Sequence, residues 1–267
     1  MSNERKSTKG TSEKKKQCVK EAKVTNQFKK MMDEALEATK KVLEQRKKDL
    51  SEEGWNDDKQ AEFYNIFGIH GNDIITVDSK EEREKVRKIR ANDKFAEDLP
   101  PMDPYIELRA DITAYTYMRE GVDRLLLLCN KISVEIPLDI SQRIHGNFVN
   151  QTDINDGSAN VSGDQTLGLN PELYKNVLKI NIQQNFVCKT LMGVDSKVST
   201  LCHEFSHFFR SQDSKYGGLG TDDLPVSGGF SKSKPYSVNA SSLKKSGSQD
   251  VFKNSYNIEK YFELIMA

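Results

Sequence analysis

Hydrophobic residues recur at helical spacing from residue 25 onward. Between 25 and 49, apolar side chains follow one another at steps of three and four residues, at Phe28, Met31, Met32, Ala35, Leu36, Val42 and Leu43. This period places them on one face of a helix, and Thr25 is a suitable cap for its start. After a turn at 51–58, apolar residues up to Gly68 predict a second helix, at Ala61, Phe63, Tyr64, Ile66 and Phe67.

The middle of the chain contains short alternating segments. Alternation of apolar and polar residues indicates strands, and the candidates are 73–77, 131–136, 166–169 and 178–182. Between the first two, Ser79 is placed to cap a charged helix over 81–93, and three prolines make 98–104 a connector. Helices followed by short strands and a further helix predict an α+β fold that is mainly helical.

The charges are balanced overall but divided unevenly along the chain. The 267 residues carry 40 basic and 40 acidic side chains. Residues 1–50 hold 15 Lys/Arg against 8 Asp/Glu, a net charge of +7, so the other residues hold 25 against 32, a net charge of −7. We interpret 1–24 as a solvated basic tail and 25–267 as one domain. Because 1–27 contain no aromatic side chain that could stack on bases, we expect no nucleic-acid partner.

The composition excludes a membrane-spanning protein and a disulfide-rich scaffold. The mean hydropathy is −0.68, and apolar runs stay far below the roughly 18 residues that a membrane span needs. No apolar stretch follows the first charges, so we expect no Sec signal peptide. The expected location is the cytoplasm, or a destination reached by a specialised export route, as for a bacterial effector or toxin. The four cysteines form no CxxC pair, and the oligomeric state stays open.

The segment 196–209, SKVSTLCHEFSHFF, carries the chemistry. On a helix, its apolar residues fall on one face, at Val198, Leu201, Cys202, Phe205, Phe208 and Phe209. His203 and His207 then project together from the opposite face, as two ligands of one zinc ion do at positions i and i+4. Glu204 between them is placed to act as a general base rather than as a ligand. This is the HExxH arrangement of zinc hydrolases.

A zinc site with an open position needs a third protein ligand. Asp213 follows the helix closely, and Glu259 and Glu263 belong to a later helical segment. The Gly-rich stretch 217–225, GGLGTDDLP, turns the chain back after the helix and offers Asp222 and Asp223. Since these two are adjacent, we expect only one of them to point inward.

HEFSH followed by GTDD (220–223) resembles the aspzincin zinc endopeptidases, typified by deuterolysin and peptidyl-Lys metalloendopeptidase. The similarity extends to the segments 63–71, 81–93, 165–174 and 254–262. It implies a mainly helical zincin-like fold with a small sheet and an HExxH helix. It also implies Zn2+ bound by His203, His207 and Asp223, with Glu204 as the base and a protein or peptide as the substrate.

The tyrosine of the family pattern is missing from its usual place, where this chain has Val226. We assign the transition-state role to Tyr236, with Tyr216 as the rival. The predicted function is a zinc-dependent endopeptidase. The alternative is a zincin-like binding module that has lost catalysis and engages a partner through its basic tail. The intact Glu204 favours the enzyme.

Overall fold

The structure is a computed structural model that describes residues 24–76, 111–132, 134, 143–154, 156–161, 170–172, 174–175, 178–211, 215–224 and 236–266. The helices are α1 (Asn26–Asp49), α2 (Asp57–Phe67), α3 (Ala114–Lys131), α4 (Gln184–Cys188), α5 (Lys197–Ser206), α6 (Tyr236–Lys245), a 3-10 turn (Gln249–Phe252) and α7 (Ser255–Tyr261). The strands are β1 (Ile74–Thr76), β2 (Asp111–Thr113), β3 (Ile144–His145), β4 (Phe148–Asn150), β5 (Ala159–Val161) and β6 (Ile180–Ile182). This mixture of helices and small sheets is compatible with the predicted α+β class.

The first two helices form as their sequence pattern predicts. The Thr25 side chain caps α1 by accepting a hydrogen bond from the Phe28 amide at 3.1 Å, and the apolar face of α1 is buried. Helix α2 ends at Gly68, which has a φ of 71° and lies so close to α6 that a Cβ would be 2.1 Å from the Lys244 carbonyl oxygen. Glycine at this position therefore allows α2 to end against α6.

Helix α3 replaces part of a predicted strand. The alternation over 131–136 predicts a strand, but Lys131 is the last residue of α3 and Ile132 is its extended C-cap. The buried residues of α3 recur at helical spacing, at Ala114, Tyr117, Met118, Gly121, Val122, Leu125, Leu128 and Cys129. The strand prediction is wrong at Lys131, where this longer period, which begins well before residue 131, determines the local structure. Residues 133, 135 and 136 of the predicted strand lie outside the described residues.

Two antiparallel strands, β1 and β2, form a small ribbon, and the other four strands form a sheet in the order β3-β4-β6-β5. Strands β4 and β6 are parallel, whereas β5 pairs antiparallel with β6. Among the residues that the structure describes, β5 is therefore an edge of this sheet. The predicted strand at 178–182 is confirmed as β6 in its second half.

Helix α5 occupies the centre of the fold, between α1, α3, α7 and β5. Ser196 and Ser199 form a reciprocal capping box at its start. Every residue of α5 is buried, on both faces. The expectation that the face with the histidines projects outward is therefore wrong. The helix is also shorter than predicted, because it ends at Ser206 and does not continue to Phe209.

A buried arginine connects the first and the last helix. Arg46 of α1 is 1% exposed. Its Nε donates to the carbonyl oxygen of Tyr261 at 2.6 Å, and its other nitrogens contact the carboxylates of Asp49 at 3.1 Å and Glu62 at 2.8 Å. One guanidinium therefore connects α1, α2 and α7.

Several sequence predictions lie outside the described residues: the tail over 1–24 except for Val24, the charged helix over 81–93, the connector over 98–104 and the strand over 166–169. Among the described residues, no helix is both long enough and apolar enough to cross a membrane.

Replacing Arg46 by Met should destabilise the protein by about 3–5 kcal/mol. The buried carboxylate of Asp49 would lose its buried cation and keep only the partly exposed Lys59, 3.3 Å away, and the Tyr261 carbonyl oxygen would lose its donor. Urea unfolding of the variant measures this loss. The matched control is Lys30→Met, which removes an exposed pair with Glu34 at 3.8 Å and should cost no more than about 1 kcal/mol. Equal stabilities of the two variants would contradict this account of Arg46.

Candidate metal centre

Helix α5 and the turn after it bring two imidazoles together. His203 lies in the last turn of α5, and His207 is its C-cap residue. Their ring centroids are 5.0 Å apart, and the ring planes cross at 82°. Both residues are buried, with exposures of 6% and 8%.

Each imidazole is oriented by a hydrogen bond at Nδ1. His203 Nδ1 lies 3.1 Å from the Glu259 carboxylate on α7, and His207 Nδ1 lies 2.9 Å from the carbonyl oxygen of Thr221. Because both partners are acceptors, each Nδ1 must carry the proton. When the rings are neutral, the lone pairs are therefore at Nε2, and both Nε2 atoms face the same space.

A carboxylate enters this space from the loop after α5. Asp223 Oδ1 lies 3.2 Å from His203 Nε2 and 3.7 Å from His207 Nε2. Ser255, at the start of α7, donates a hydrogen bond to the same oxygen. Of the two adjacent aspartates, Asp223 is thus the one that meets both imidazoles.

The loop that carries Asp223 is fixed by backbone hydrogen bonds to the end of α5. The amides of Leu219 and Thr221 both donate to the Ser206 carbonyl oxygen at 3.1 Å. At Gly218, a Cβ would lie only 2.3 Å from the Phe205 carbonyl oxygen, so a larger residue would push the loop away from the helix. The Gly-rich sequence therefore permits the close approach that places Asp223.

Two buried side chains of the core hold the other side of this loop. Arg124 Nε on α3 donates to the Gly218 carbonyl oxygen at 2.8 Å, and the Tyr117 hydroxyl donates to the Leu219 carbonyl oxygen at 3.0 Å. The loop is thus clamped between α3 and α5, which makes the position of Asp223 a property of the whole core.

The charges of the centre shift one another's pKa values. Burial disfavours the imidazolium form of His203, but hydrogen bonds to Asp223 and Glu259 outweigh burial and raise the pKa of His203 to about 10. Burial likewise opposes the ionisation of Asp223, but its contact with His203 lowers the pKa of Asp223 to about 2. Burial raises the pKa of Glu204, only partly offset by the two imidazoles. A carboxylate with a raised pKa is a better proton acceptor near neutral pH.

Glu204 faces an edge strand. Its Oε2 accepts a hydrogen bond from the Val161 amide at 3.0 Å, which directs the carboxylate across the space between α5 and β5. Glu204 also lies in a cleft of about 490 Å³, lined by Ala159, Asn160, Val161, Glu204, His207, Asp222, Asp223 and Leu224. Strand β5 thus forms one wall of the cleft, and the loop bearing Asp223 forms the opposite wall.

The donor set fits a zinc ion. Zinc takes imidazole nitrogen and carboxylate oxygen at about 2.0–2.2 Å in a tetrahedral arrangement, in which neighbouring ligand atoms lie about 3.3–3.6 Å apart. The observed separations between Asp223 Oδ1 and the two Nε2 atoms, 3.2 and 3.7 Å, are close to this spacing. The ligand atoms of His203, His207 and Glu204 lie within 4.8 Å of one another and could hold a metal ion. Asp223 offers a further carboxylate oxygen beside the two imidazoles.

The other candidates for a third ligand occupy different positions. Asp213 lies outside the described residues. Glu259 contacts the Nδ1 side of His203, so it orients the imidazole, and Glu263 accepts a hydrogen bond from the Asp195 amide at 3.1 Å. Asp222 is anchored through its backbone, since its amide donates to the Lys253 carbonyl oxygen at 2.9 Å.

The sequence analysis did not predict that Tyr256 contacts the candidate metal centre. Tyr256 of α7 packs its ring against the His203 ring at 4.8 Å, nearly perpendicular. The predicted Tyr236 stacks on Tyr256 at 5.3 Å, with ring planes only 3° apart, and its rival Tyr216 bonds through its amide to Ser211. The signal available in the sequence was the position of Tyr256 in the segment 254–262, three residues before Glu259 and therefore on the same side of a helix.

Zinc binding should release at least about one proton per ion at pH 8, the one from His203. At this pH a His203 with a pKa of about 10 is protonated in the metal-free protein, and zinc requires the neutral ring. Isothermal titration calorimetry in buffers of different ionisation enthalpy measures the number of protons released. Glu259→Gln is the matched control, because removing one of the charges that raise the pKa of His203 should reduce the release. No release from the unmodified protein at pH 8 would contradict the pKa assignment.

No protein-family model matches this sequence, and no curated protein matches it. Among solved structures, a similar chain is a zinc peptidase from Grifola frondosa, with 13% sequence identity and a TM-score of 0.41 over 90% of this chain and 96% of that chain. The function proposed below therefore rests on the side chains of the candidate metal centre.

Proposed function

We propose that this protein is a zinc-dependent endopeptidase of the aspzincin type, with His203, His207 and Asp223 as the zinc ligands. The observation that carries the proposal is the meeting of two Nε2 atoms and one carboxylate oxygen at tetrahedral spacing. The Nδ1 atoms are already engaged by acceptors, as they are in zinc sites whose imidazoles are oriented by outer hydrogen bonds.

When bound, zinc supplies a Lewis acid that polarises a carbonyl group and lowers the pKa of water from 15.7 to about 7. Glu204 acts as the general base and then as the general acid: it takes the proton from the attacking water and gives it to the departing amine. Since the Val161 amide holds Oε2, we assign this proton transfer to Oε1. Burial supports the role by raising the pKa of Glu204.

Strand β5, which forms one wall of the cleft, favours a peptide as the substrate. Strand β5 has β6 as its one neighbour in the described part of the sheet, and the Val161 amide donates to Glu204. An extended peptide can add to such an edge through backbone hydrogen bonds, which would place its amide bonds beside Glu204. We therefore assign the cleft to a protein or peptide chain bound in an extended conformation.

Glu204→Gln should reduce kcat by about 10²–10⁴-fold, because the amide cannot accept the proton. Zinc content should be unchanged, because Glu204 is not among the proposed ligands. The measurements are turnover of casein or a fluorogenic peptide library and zinc stoichiometry by elemental analysis. Wild-type turnover in the variant would contradict the assignment of Glu204 as the general base. An unmodified protein that binds zinc but cleaves no peptide would favour the binding-module alternative.

Asp223→Ala should weaken zinc binding by at least about a hundredfold, since losing a ligand must cost more than losing an outer hydrogen bond. Its neighbour provides the matched control: Asp222→Ala removes an equal charge from the same loop and should change the zinc dissociation constant by less than about threefold. Competition with a chromogenic chelator measures both constants. A larger loss in the Asp222 variant would show that the third ligand was assigned to the wrong aspartate.

A further inference from the structure

The proposed reaction creates a negatively charged oxygen on the former peptide carbonyl, and such an oxygen needs a hydrogen-bond donor in addition to a metal ion. The sequence analysis gave this role to Tyr236. In the structure, the described ring contact of Tyr236 is with Tyr256, and its side chain is 44% exposed. The Tyr256 ring therefore contacts both the Tyr236 ring and the His203 ring.

Tyr256 is the tyrosine whose ring contacts the His203 ring directly. Its ring is nearly perpendicular to the His203 ring, with the ring centroids 4.8 Å apart. The side chain is half-buried, so it is packed against the imidazole while part of its surface remains accessible. A phenol carries its proton at neutral pH and can donate a hydrogen bond.

Two other residues of α7 contact the candidate metal centre. Ser255 donates to the Asp223 carboxylate, and Glu259, three residues after Tyr256, contacts His203 Nδ1. Residues three apart lie on one side of a helix. The face of α7 that holds Glu259 against the imidazole therefore also directs Tyr256 to it.

We propose that Tyr256 donates the hydrogen bond that stabilises the oxyanion, and that Tyr236 supports its ring by stacking. This assignment rests on the proposed endopeptidase function and deepens it. The Tyr256 hydroxyl keeps its proton throughout, so no bond is broken at the phenol, and the proton exchange of the reaction remains with Glu204. Tyr256 thereby takes the role that the sequence analysis predicted for Tyr236.

The test compares Tyr256→Phe with Tyr236→Phe in the zinc-loaded, full-length protein. Each variant keeps its ring, so the stacking and the contact with His203 persist. Tyr64→Phe, on the exposed surface of α2, is the neutral control. Four quantities are measured for each protein: zinc stoichiometry, thermal midpoint, kcat and KM on one peptide, and the dissociation constant of a phosphinic peptide of the same sequence, which mimics the tetrahedral transition state.

Tyr256→Phe should lower kcat by about a hundredfold or more, with KM, zinc stoichiometry and thermal midpoint close to those of the unmodified protein. Affinity for the phosphinic peptide should fall by a similar factor, which a purely structural role would not produce. Tyr236→Phe should change kcat by less than about threefold.

Two results would overturn the assignment. If Tyr256→Phe retained both kcat and phosphinic-peptide affinity, Tyr256 would be a packing residue only. If Tyr236→Phe caused the larger loss, the donor would be Tyr236. Failure of the proposed function is distinguishable, because it would appear first in the unmodified protein, as bound zinc without hydrolysis of any peptide, and would remove the basis for an oxyanion donor as well.

Discussion

The structure depends on charge compensation at the centre of the fold. Two imidazoles and the carboxylates of Glu204, Asp223 and Glu259 share one site, and most of these groups are buried. Isolated charges in such a place would cost several kcal/mol each. Every group therefore contacts an opposite charge or a backbone partner, as the shifted pKa values of His203 and Asp223 reflect. A divalent cation beside three carboxylates and two neutral imidazoles would satisfy the same requirement.

This requirement explains why distant segments converge on α5. The helix supplies His203 and Glu204, the loop at 217–223 supplies Asp223, and α7 supplies Glu259. Strand β5 completes the centre with the Val161 amide. Each segment brings a partner for a charge that α5 alone could not bury, so the packing of the core and the electrostatics of the site determine each other.

The sequence revealed the parts of this arrangement that depend on local spacing. Positions i and i+4 on one helix place His203 and His207 together whatever surrounds them, and the capping residues Thr25 and Ser196 act within one turn. The burial of both faces of α5 could not be predicted, because it depends on α7 and β5 packing on the face that carries the histidines. The same is true of Glu259, whose role depends on a contact across 56 positions of the chain.

The two ends of α7 have different partners, and this makes the helix a connection between stability and chemistry. At its C-terminal end, the Tyr261 carbonyl oxygen accepts a hydrogen bond from the buried Arg46, a favourable place for a cation because the carbonyl groups of a helix end carry partial negative charge. At its N-terminal end, Ser255 contacts Asp223, and in the following turn Glu259 contacts His203. A helix of seven residues is short and stiff, so anchoring one end restricts the other. Arg46, far from the cleft, thus helps to determine where Tyr256 and Glu259 lie against the imidazole.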